Sequence, residues 1–432
     1  MRFFIFFLLL VLVSPVSSAA CISIASAAQF PAVLKPGACY EIRGKFSVAE
    51  PRTIAARLTV RTDSSLSLTP GTRLILAEGG ELIVRGELRA EREVQFELNS
   101  DSKFSNHGVL YLSGGSRILT GPRAVFRNAG EFFLFQGSAL SLGPQSSFTN
   151  ASILKADDAR LAIVSAEFEN GGTIDLGHGS IMDFSGTSRV KNGAKFITRK
   201  GTLLTFRNQT HFANTRFLKF AGTVIFSDQA ALHNDGIAEF EASVKMGLKG
   251  HGVIENSHVI DLYGQLQLSE VSLFNNLKNF QIKQGGYLEI VDNARLINES
   301  TVTDYGVVHV EHFGGLHNRH IFYVKGQRSH DNLYELLKKA QSPETAPPES
   351  GTPGTQQAGR GAALQSQAGA AAPAGFAPAA AEGRTAMRQS AVAPSAAAAA
   401  GAATAAAAPS PGAAVSGPQE AVPAPAGATA AP

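Results

Sequence analysis

The sequence predicts an all-β fold, a parallel β-helix (β-solenoid) of about fourteen coils, over residues 41–326. Two observations lead to this prediction. An apolar-x-Asn unit recurs eleven times with its asparagines 20 or 22 residues apart. Apolar residues then follow each asparagine at fixed distances, with Gly and polar residues between them. Three short apolar segments per repeat predict three strands per coil, paired in parallel with the coils above and below.

The recurring asparagine predicts a ladder, because a buried amide can hydrogen-bond the backbone and the asparagine of the next coil. The ladder positions are Asn106, Asn128, Asn150, Asn170, Asn192, Asn214, Asn234, Asn256, Asn276, Asn298 and Asn318. All steps are even, which suits strands whose side chains alternate between faces. The unit is weaker upstream, where we expect Val84-x-Gly86, Thr62-x-Ser64 and Ile42-x-Gly44 to occupy the same rows.

Three core columns are predicted beside the ladder. The residue four after each asparagine is apolar throughout, as at Leu154. The residue twelve after is also apolar, and the predicted second column is Ile118, Leu140, Ala162, Met182, Leu204, Phe226, Met246, Leu268, Leu288 and Val310. A third column lies two residues before each asparagine. These three columns would form a continuous interior.

The apolar-x-Asn-x-Gly coils resemble the repeats of parallel β-helix proteins, in particular secreted bacterial adhesins and autotransporter passengers. The resemblance covers about residues 40–326. It implies right-handed winding, which parallel crossovers also favour. It leaves function open, because this fold serves adhesins, structural fibres and polysaccharide-cleaving enzymes. No C-terminal membrane β-barrel follows the coils, so autotransporter export is not indicated.

Residues 1–20 have the features of a secretory signal peptide: Arg2, a short apolar run and small residues before Cys21. The run is shorter than the about 20 apolar residues that span a membrane, and no later segment is apolar enough. Cys21 and Cys39 are expected to pair in an oxidising compartment and to form an N-terminal cap over residues 21–40. Lipidation of Cys21 is an alternative, although Ser18 is a poor match to the required upstream residue.

The C-terminal end changes in composition. Residues 327–341 include Leu333, Leu336 and Leu337 on one helical face, which predicts a short helix capping the last coil. Residues 342–432 are rich in Ala, Pro, Gly and Ser, with Phe376 as their only aromatic residue. Such a segment cannot bury enough apolar surface to offset its ordering entropy, so we predict a disordered tail.

Composition excludes several classes of partner. Only 17% of the 432 residues are charged, against about 25% in a typical chain, and the formal net charge is +3. There is no basic patch for a nucleic acid. With no Trp and seven Tyr, the sequence offers little for an aromatic platform that stacks sugars.

Two short motifs resemble those of polygalacturonase-like glycosidases: Asp157-Asp158 and, one coil later, Gly177-His178-Gly179. Asp158 and His178 each lie eight residues after a ladder asparagine, so we expect them to share a turn column with Lys200. The resemblance implies paired carboxylates acting as acid and base, with His178 and Lys200 beside them. The family's Asn-Thr-Asp motif is absent, since Phe135-Gln136-Gly137 occupies its place. Because the match to this family is partial, a polysaccharide hydrolase or lyase is the alternative function and not the main prediction.

No metal or cofactor is predicted. His309, His312, His317 and His320 are close in sequence, but residues three apart on a strand face opposite sides. We interpret them as satisfied or partly exposed side chains. Calcium-binding nonapeptide repeats are not present either.

Three sequons for N-glycosylation begin at Asn150, Asn208 and Asn298. Two of them use ladder positions, so Asn208 is the glycosylation candidate if the host is a eukaryote.

Taken together, these observations predict a secreted, noncatalytic solenoid that acts in adhesion or as a structural component at the cell surface, in the cell wall or in an extracellular matrix. Its partners would be extracellular glycans, surface proteins or copies of itself.

Overall fold

The computed structural model describes residues 20–311 and 313–325. These residues form three parallel sheets of 15, 14 and 14 strands, joined in the order that a winding chain produces. From β2 onward, each strand pairs in parallel with the strand three places later in the chain, one coil on, whereas β1 pairs with β3. The predicted solenoid of about fourteen coils is confirmed.

The first sheet carries the ladder asparagines at its strand ends. Its strands are β1 Ile22–Ile24, β3 Cys39–Ile42, β6 Arg57–Val60, β9 Glu81–Val84, β12 Lys103–Asn106, β15 Val125–Asn128, β18 Ser147–Asn150, β21 Glu167–Asn170, β24 Arg189–Asn192, β27 His211–Asn214, β30 Ala231–Asn234, β33 Val253–Asn256, β36 Leu273–Asn276, β39 Arg295–Asn298 and β42 Gly315–Asn318.

The second sheet follows the ladder corner of each coil. Its strands are β4 Lys45–Val48, β7 Ser65–Leu68, β10 Glu87–Glu91, β13 Val109–Ser113, β16 Glu131–Phe135, β19 Ile153–Asp157, β22 Thr173–Leu176, β25 Lys195–Thr198, β28 Phe217–Phe220, β31 Ile237–Phe240, β34 Val259–Leu262, β37 Asn279–Ile282, β40 Thr301–Asp304 and β43 Ile321–Val324.

The third sheet completes each coil. Its strands are β2 Val33–Leu34, β5 Arg52–Ile54, β8 Arg73–Leu76, β11 Gln95–Leu98, β14 Arg117–Thr120, β17 Ala139–Leu142, β20 Arg160–Val164, β23 Ile181–Ser185, β26 Leu203–Phe206, β29 Thr223–Phe226, β32 Lys245–Leu248, β35 Gln265–Leu268, β38 Tyr287–Ile290 and β41 Val307–Val310. One turn of 3-10 helix, Ala27–Gln29, lies in the first coil.

The asparagine ladder is continuous from Asn106 to Asn318. In the middle of the column, the Nδ2 of Asn192 donates to Asn214 Oδ1 at 2.7 Å and to the backbone carbonyl of Phe217 at 2.9 Å. The Oδ1 of Asn192 accepts from Asn170 Nδ2 at 2.7 Å. The amide hydrogens therefore join each coil to the next both through the side chain and through the backbone.

The ladder does not extend upstream as the sequence predicted. Asn106 pairs in register with Val84, and Val84 with Val60, so apolar side chains occupy the ladder position in the earlier coils. The prediction that Gly86, Ser64 and Gly44 hold this position was wrong, because Val84, Val60 and Ile42 occupy it. A branched apolar side chain needs no hydrogen-bond partner there, so the core can continue without the amide column.

The predicted core columns are buried, except at Ala162 and at Phe322 in the last coil. Ala162 faces outward and is half exposed, whereas Leu161 and Ile163 are buried. Leu161 pairs with Leu140, a step of 21 residues, because the connections on both sides of β20 are each shorter than in the preceding coil. The prediction for Ala162 was wrong because each connection shortens the register by one residue. The two shortenings add up to an even step of 20 between Asn150 and Asn170, but the strand between them is left with an odd step of 21.

Coils of 20 and 22 residues differ in their turns. Residues 199–202 join β25 to β26 in a coil of 22, whereas residues 221–222 alone join β28 to β29 in the next coil of 20. The strands keep their register through this change. Turn length therefore absorbs the variation in repeat length.

The two ends of the solenoid differ. At the N-terminal end, Cys21 and Cys39 form the expected disulfide, and β1 and β2 from this segment pair as edge strands. At the other end, Phe322 and Val324 face inward in the last coil but are only half-buried. The expected capping helix at 327–341, the tail at 342–432 and the signal peptide to residue 19 lie outside the described residues.

Burial predicts the effect of a charge in the core. Leu154 is fully buried, so Leu154→Asp should abolish the cooperative thermal transition, since an unpaired buried charge costs several kcal/mol. The same result is expected for Leu204→Asp. Ile153, the preceding residue of β19, is 40% exposed, so Ile153→Asp should still melt cooperatively. Circular dichroism measures both, and a cooperative transition in Leu154→Asp would contradict the assigned register.

A second prediction concerns the ladder. Asn192→Ala should lower the free energy of unfolding by about 1–3 kcal/mol, because it leaves buried partners without their hydrogen bonds. Asn279→Ala provides the control, since Asn279 is exposed at the start of β37. Urea unfolding of the two variants gives the comparison. An equal loss at both positions would show that the amide column contributes nothing special to stability.

Candidate functional site

The outer face of the third sheet carries two parallel columns of side chains. They arise because alternate residues of each strand face outward. The first column runs through Thr223, Lys245, Gln265 and Tyr287, in register on successive strands. The second column is Ile225, Gly247, Gln267, Glu289 and His309. Side chains from four or five different coils therefore meet on one surface.

A groove opens where the second column has no side chain. Gly247 lies between Ile225 and Gln267, so the backbone of β32 forms the floor. A Cβ added there would meet only Lys249 Cε, at 3.7 Å. The groove has a volume of about 460 Å³ and is lined by Thr223, Ile225, Lys245, Met246, Gly247, Lys249, Gln265, Leu266, Gln267, Tyr287 and Glu289. We call it the Gly247 groove.

Hydrogen bonds fix the polar end of the Gly247 groove. Gln267 Nε2 donates to Glu289 Oε2 at 2.8 Å, and the Tyr287 hydroxyl donates to Glu289 Oε1 at 3.3 Å. Partial burial and the nearby charges of Glu289 and Glu311 raise the pKa of Tyr287, so the phenol keeps its proton and remains a donor. Glu289 is thus held by a neighbour on its own strand and one on the preceding coil.

The opposite end of the groove is cationic. Lys245 and Lys249 line it, and neither forms an ion pair with any residue in the described part of the chain. Many other basic side chains on the solenoid are paired: Arg199 makes two hydrogen bonds to Asp175, and Lys283 contacts Asp261 at 3.2 Å. The bond to Arg199 lowers the pKa of Asp175. The groove therefore presents two ammonium groups whose charge is not balanced by a neighbouring carboxylate.

An acidic and imidazole cluster continues from the groove towards the C-terminal end. Glu289 pairs in register with His309 on the next coil, and Glu311 follows His309 by two residues. The ligand atoms of these three side chains lie within 4.8 Å of one another. Glu289 and His309 are half-buried, whereas Glu311 is exposed.

The residues predicted for catalysis lie elsewhere, on a turn column between the second and third sheets. The backbone N–H of Asp158 donates to the carbonyl of His178 at 2.9 Å, which confirms that these two residues stack. The ring of His178 lies over Gly201, next to Lys200. Asp157 is the last residue of β19.

All four of these residues are exposed. Asp158 has a φ of 49°, which Asn and Asp tolerate better than most residues. Asp157 and Asp158 therefore stand on a convex turn edge, with the arrangement that polar turn residues commonly have. Neither lines the Gly247 groove.

The three described histidines of the last coil lie on different elements. His309 is in the third sheet, His317 in the first, and His320 precedes β43, while His312 lies outside the described residues. The approach of His309 to two glutamates was not predicted, because the histidine spacings alone do not reveal it. The available signal was the spacing of 20 between Glu289 and His309, which is one coil length.

A second surface group was also missed. On the outer face of the second sheet, the Tyr111 and Phe135 rings are 5.6 Å apart, and Phe133 stacks on Phe135 at 5.9 Å. The Arg89 guanidinium lies 5.5 Å from the Tyr111 ring. Aromatic rings thus gather on an outer face even though the sequence contains few tyrosines and no tryptophan.

The sequons differ in exposure. Asn150 and Asn298 are fully buried in the ladder, whereas Asn208 is exposed in a turn with a φ of 59°. The Oδ1 of Asn208 accepts a hydrogen bond from the N–H of Gly186 at 3.1 Å.

The fold and surface define a parallel β-solenoid protein with an open polar groove on its third sheet. The chain matches no protein-family model, no curated protein and no solved structure. The likeness of its coils to adhesins and to glycosidases is thus a likeness of sequence pattern, and no relative supports it. Among the described residues, no helix is long and apolar enough to cross a membrane.

Exposure gives a prediction for protein made in eukaryotic cells. We expect glycan on Asn208 and none on Asn150 or Asn298, because a glycan at a ladder position would prevent the amide from stacking. Mass spectrometry of the secreted protein measures occupancy at the three sites. Glycan on folded protein at Asn150 or Asn298 would be incompatible with the buried ladder.

Proposed function

We propose that this protein is a secreted, noncatalytic β-solenoid that acts in adhesion or as a structural component at a cell surface, in a cell wall or in an extracellular matrix. We further propose that its Gly247 groove binds an acidic glycan chain. The observation that carries this proposal is the open groove with its two unpaired ammonium groups, amides and phenol.

The form of the groove suits a chain-like ligand. It crosses strands β29, β32, β35 and β38, so its lining side chains come from four successive coils. Adjacent strands repeat at about 4.8 Å, so the lining side chains are regularly spaced along an extended polymer. An open groove on a flat sheet also admits a segment from the middle of a polymer, since neither end has to enter a closed pocket.

The charges and polar groups of the groove favour an acidic sugar. Lys245 and Lys249 offer ammonium groups to carboxylates or sulfates on the ligand. Gln265 and Gln267 each carry both a donor and an acceptor, and sugar hydroxyls need both. Tyr287 adds an aromatic face beside them. Binding that depends on exposed lysines would weaken as salt rises.

Two further features support export. A disulfide joins Cys21 and Cys39, and structural disulfides persist in oxidising compartments. The sequence before Cys21 has the charge, apolar run and small residues of a secretory signal.

Filling the groove gives a test that separates binding from folding. Gly247→Leu should weaken binding of polygalacturonate by about tenfold or more, because the new side chain occupies the groove floor. Folding should be preserved, since a Cβ at Gly247 meets no backbone atom and glycine weakens a strand interior. Calorimetric titration and thermal melting report the two properties.

Ala162→Leu is the matched control for this test, because Ala162 occupies the same outward column on β20, in the middle of the sheet and outside the groove. It should bind polygalacturonate as tightly as the unmodified protein does.

The lysines give a second test. Lys245→Gln combined with Lys249→Gln should weaken binding of polygalacturonate about five- to tenfold. Lys103→Gln combined with Lys155→Gln removes the same charge at exposed positions elsewhere and should have no effect. Equal binding by Gly247→Leu and the unmodified protein would refute the groove as the site.

The same samples address the enzyme alternative. Asp158→Asn keeps a residue that tolerates the left-handed backbone at this position, so it should fold normally. The noncatalytic proposal expects no cleavage of polygalacturonate by either form. Cleavage by the intact protein that is lost in Asp158→Asn would replace this proposal with a polysaccharide-cleaving enzyme.

A further inference from the structure

We propose that Glu289, His309 and Glu311 bind a divalent transition-metal ion, of which zinc is the representative, on the outer face of the third sheet. Their ligand atoms already lie within 4.8 Å of one another. The described residues that come together here are one imidazole and two carboxylates, the donor types that protein zinc sites use.

The fold itself creates this juxtaposition. Glu289 on β38 and His309 on β41 are register partners on adjacent strands of one sheet. Glu311 lies two residues beyond His309, so the period-two alternation of the strand places it on the same side. Three neighbouring outward positions are therefore filled by potential ligands, and two coils contribute to the site.

The distances are short enough for one ion to be shared. Ligand atoms about 2.0–2.1 Å from a tetrahedral zinc ion are about 3.4 Å apart. The present separations, up to 4.8 Å, exceed this by little more than 1 Å. Because Glu311 is exposed and the other two side chains are only half-buried, rotation about their side-chain bonds can close the difference.

Neighbouring groups already orient one ligand. Gln267 and Tyr287 each donate a hydrogen bond to a different oxygen of Glu289. Carboxylates that bind metals are commonly held in this way by a surrounding group of donors. Each carboxylate oxygen has a second lone pair, so Glu289 can keep these bonds and still coordinate an ion.

The electrostatics also favour a cation. Neither Glu289 nor Glu311 forms an ion pair with a lysine or arginine of the described chain, although many surface carboxylates of this protein do. Two carboxylates thus lie close together without a basic partner of that kind. A dication would balance their charge.

The donor set distinguishes among metals. Calcium prefers six to eight oxygen ligands, and magnesium retains most of its water. Imidazole with carboxylates suits zinc, and also cobalt, which reports coordination by its visible absorption. Three protein ligands would leave a coordination position for water.

A second cluster on the same molecule has similar residues but the wrong geometry. His233 contacts Asp235 through Nε2 at 3.1 Å and Glu255 through Nδ1 at 3.2 Å. These carboxylates lie at different nitrogens, on different sides of the imidazole ring, and therefore cannot share one ion with it. His233 is the natural control for His309.

The test uses the full, untagged chain after treatment with a chelator and dialysis, titrated with zinc chloride in a calorimeter. We expect one site with a dissociation constant in the micromolar range or tighter. His309→Gln and Glu311→Gln should each weaken it by about tenfold or more. His233→Gln should bind as the unmodified protein does. Cobalt chloride should give visible absorption bands that His309→Gln lacks.

Several results would overturn the proposal. They are absence of zinc binding in the unmodified protein, equal binding by His309→Gln, or an equal loss in His233→Gln. Thermal melting of each variant confirms folding, and zinc should raise the melting temperature of the unmodified protein but not that of His309→Gln. No glycan is present in these titrations, so their outcome is independent of the proposed glycan binding.

Discussion

The rest of this structure depends on the satisfaction of one buried amide per coil. Each internal ladder asparagine is fully buried, and its two Nδ2 hydrogens reach the next coil, as Asn128 does to Asn150 Oδ1 at 2.7 Å and to the carbonyl of Ile153 at 2.8 Å. A shift of one residue would remove both bonds and leave the amide unpaired in the core, which costs more than the bonds themselves contribute. The corner between the first and second sheets is thereby held in one register.

The fixed corner confines variation to the turns and the outer faces. Inward positions must be apolar or belong to the ladder, and this leaves the outward residues free to differ from coil to coil. A column of phenylalanines illustrates the inner constraint: Phe104 stacks on Phe126 at a ring distance of 4.8 Å, and Phe126 meets Phe148 edge to face at 5.0 Å. Chemistry specific to this protein is therefore found outside, where Lys245 lies in one outward column and Gly247 and Glu289 lie in the other, at positions that the core does not constrain.

The periodicity of the sequence was sufficient to predict which residues are buried in the interior, but not which residues meet on the surface. Burial of Leu154 and Leu204, the ladder and the disulfide could all be predicted, because inward positions obey a strict alternation and the asparagines mark the phase. The predicted register was wrong at Ala162, where two turns each shortened by one residue add up to an even step, and at Gly86, where no asparagine marks the row. The Gly247 groove could not be predicted, since it arises from a missing side chain flanked by residues two coils apart. The approach of His309 to Glu289 likewise depends on the lengths of the turns between them.

Because turns absorb changes in coil length, the unit in which this protein can grow or shrink is a whole coil. Duplication of a segment that starts and ends at equivalent points of two coils gives every new strand the same kind of neighbour, at no cost to the coils on either side. Gene duplication could thus alter the length of the solenoid without redesign of its core. The position of the insertion decides its effect on the surface: a coil added between β38 and β41 would part Glu289 from His309, whereas one added before β29 would shift the groove and the cluster together and leave both intact.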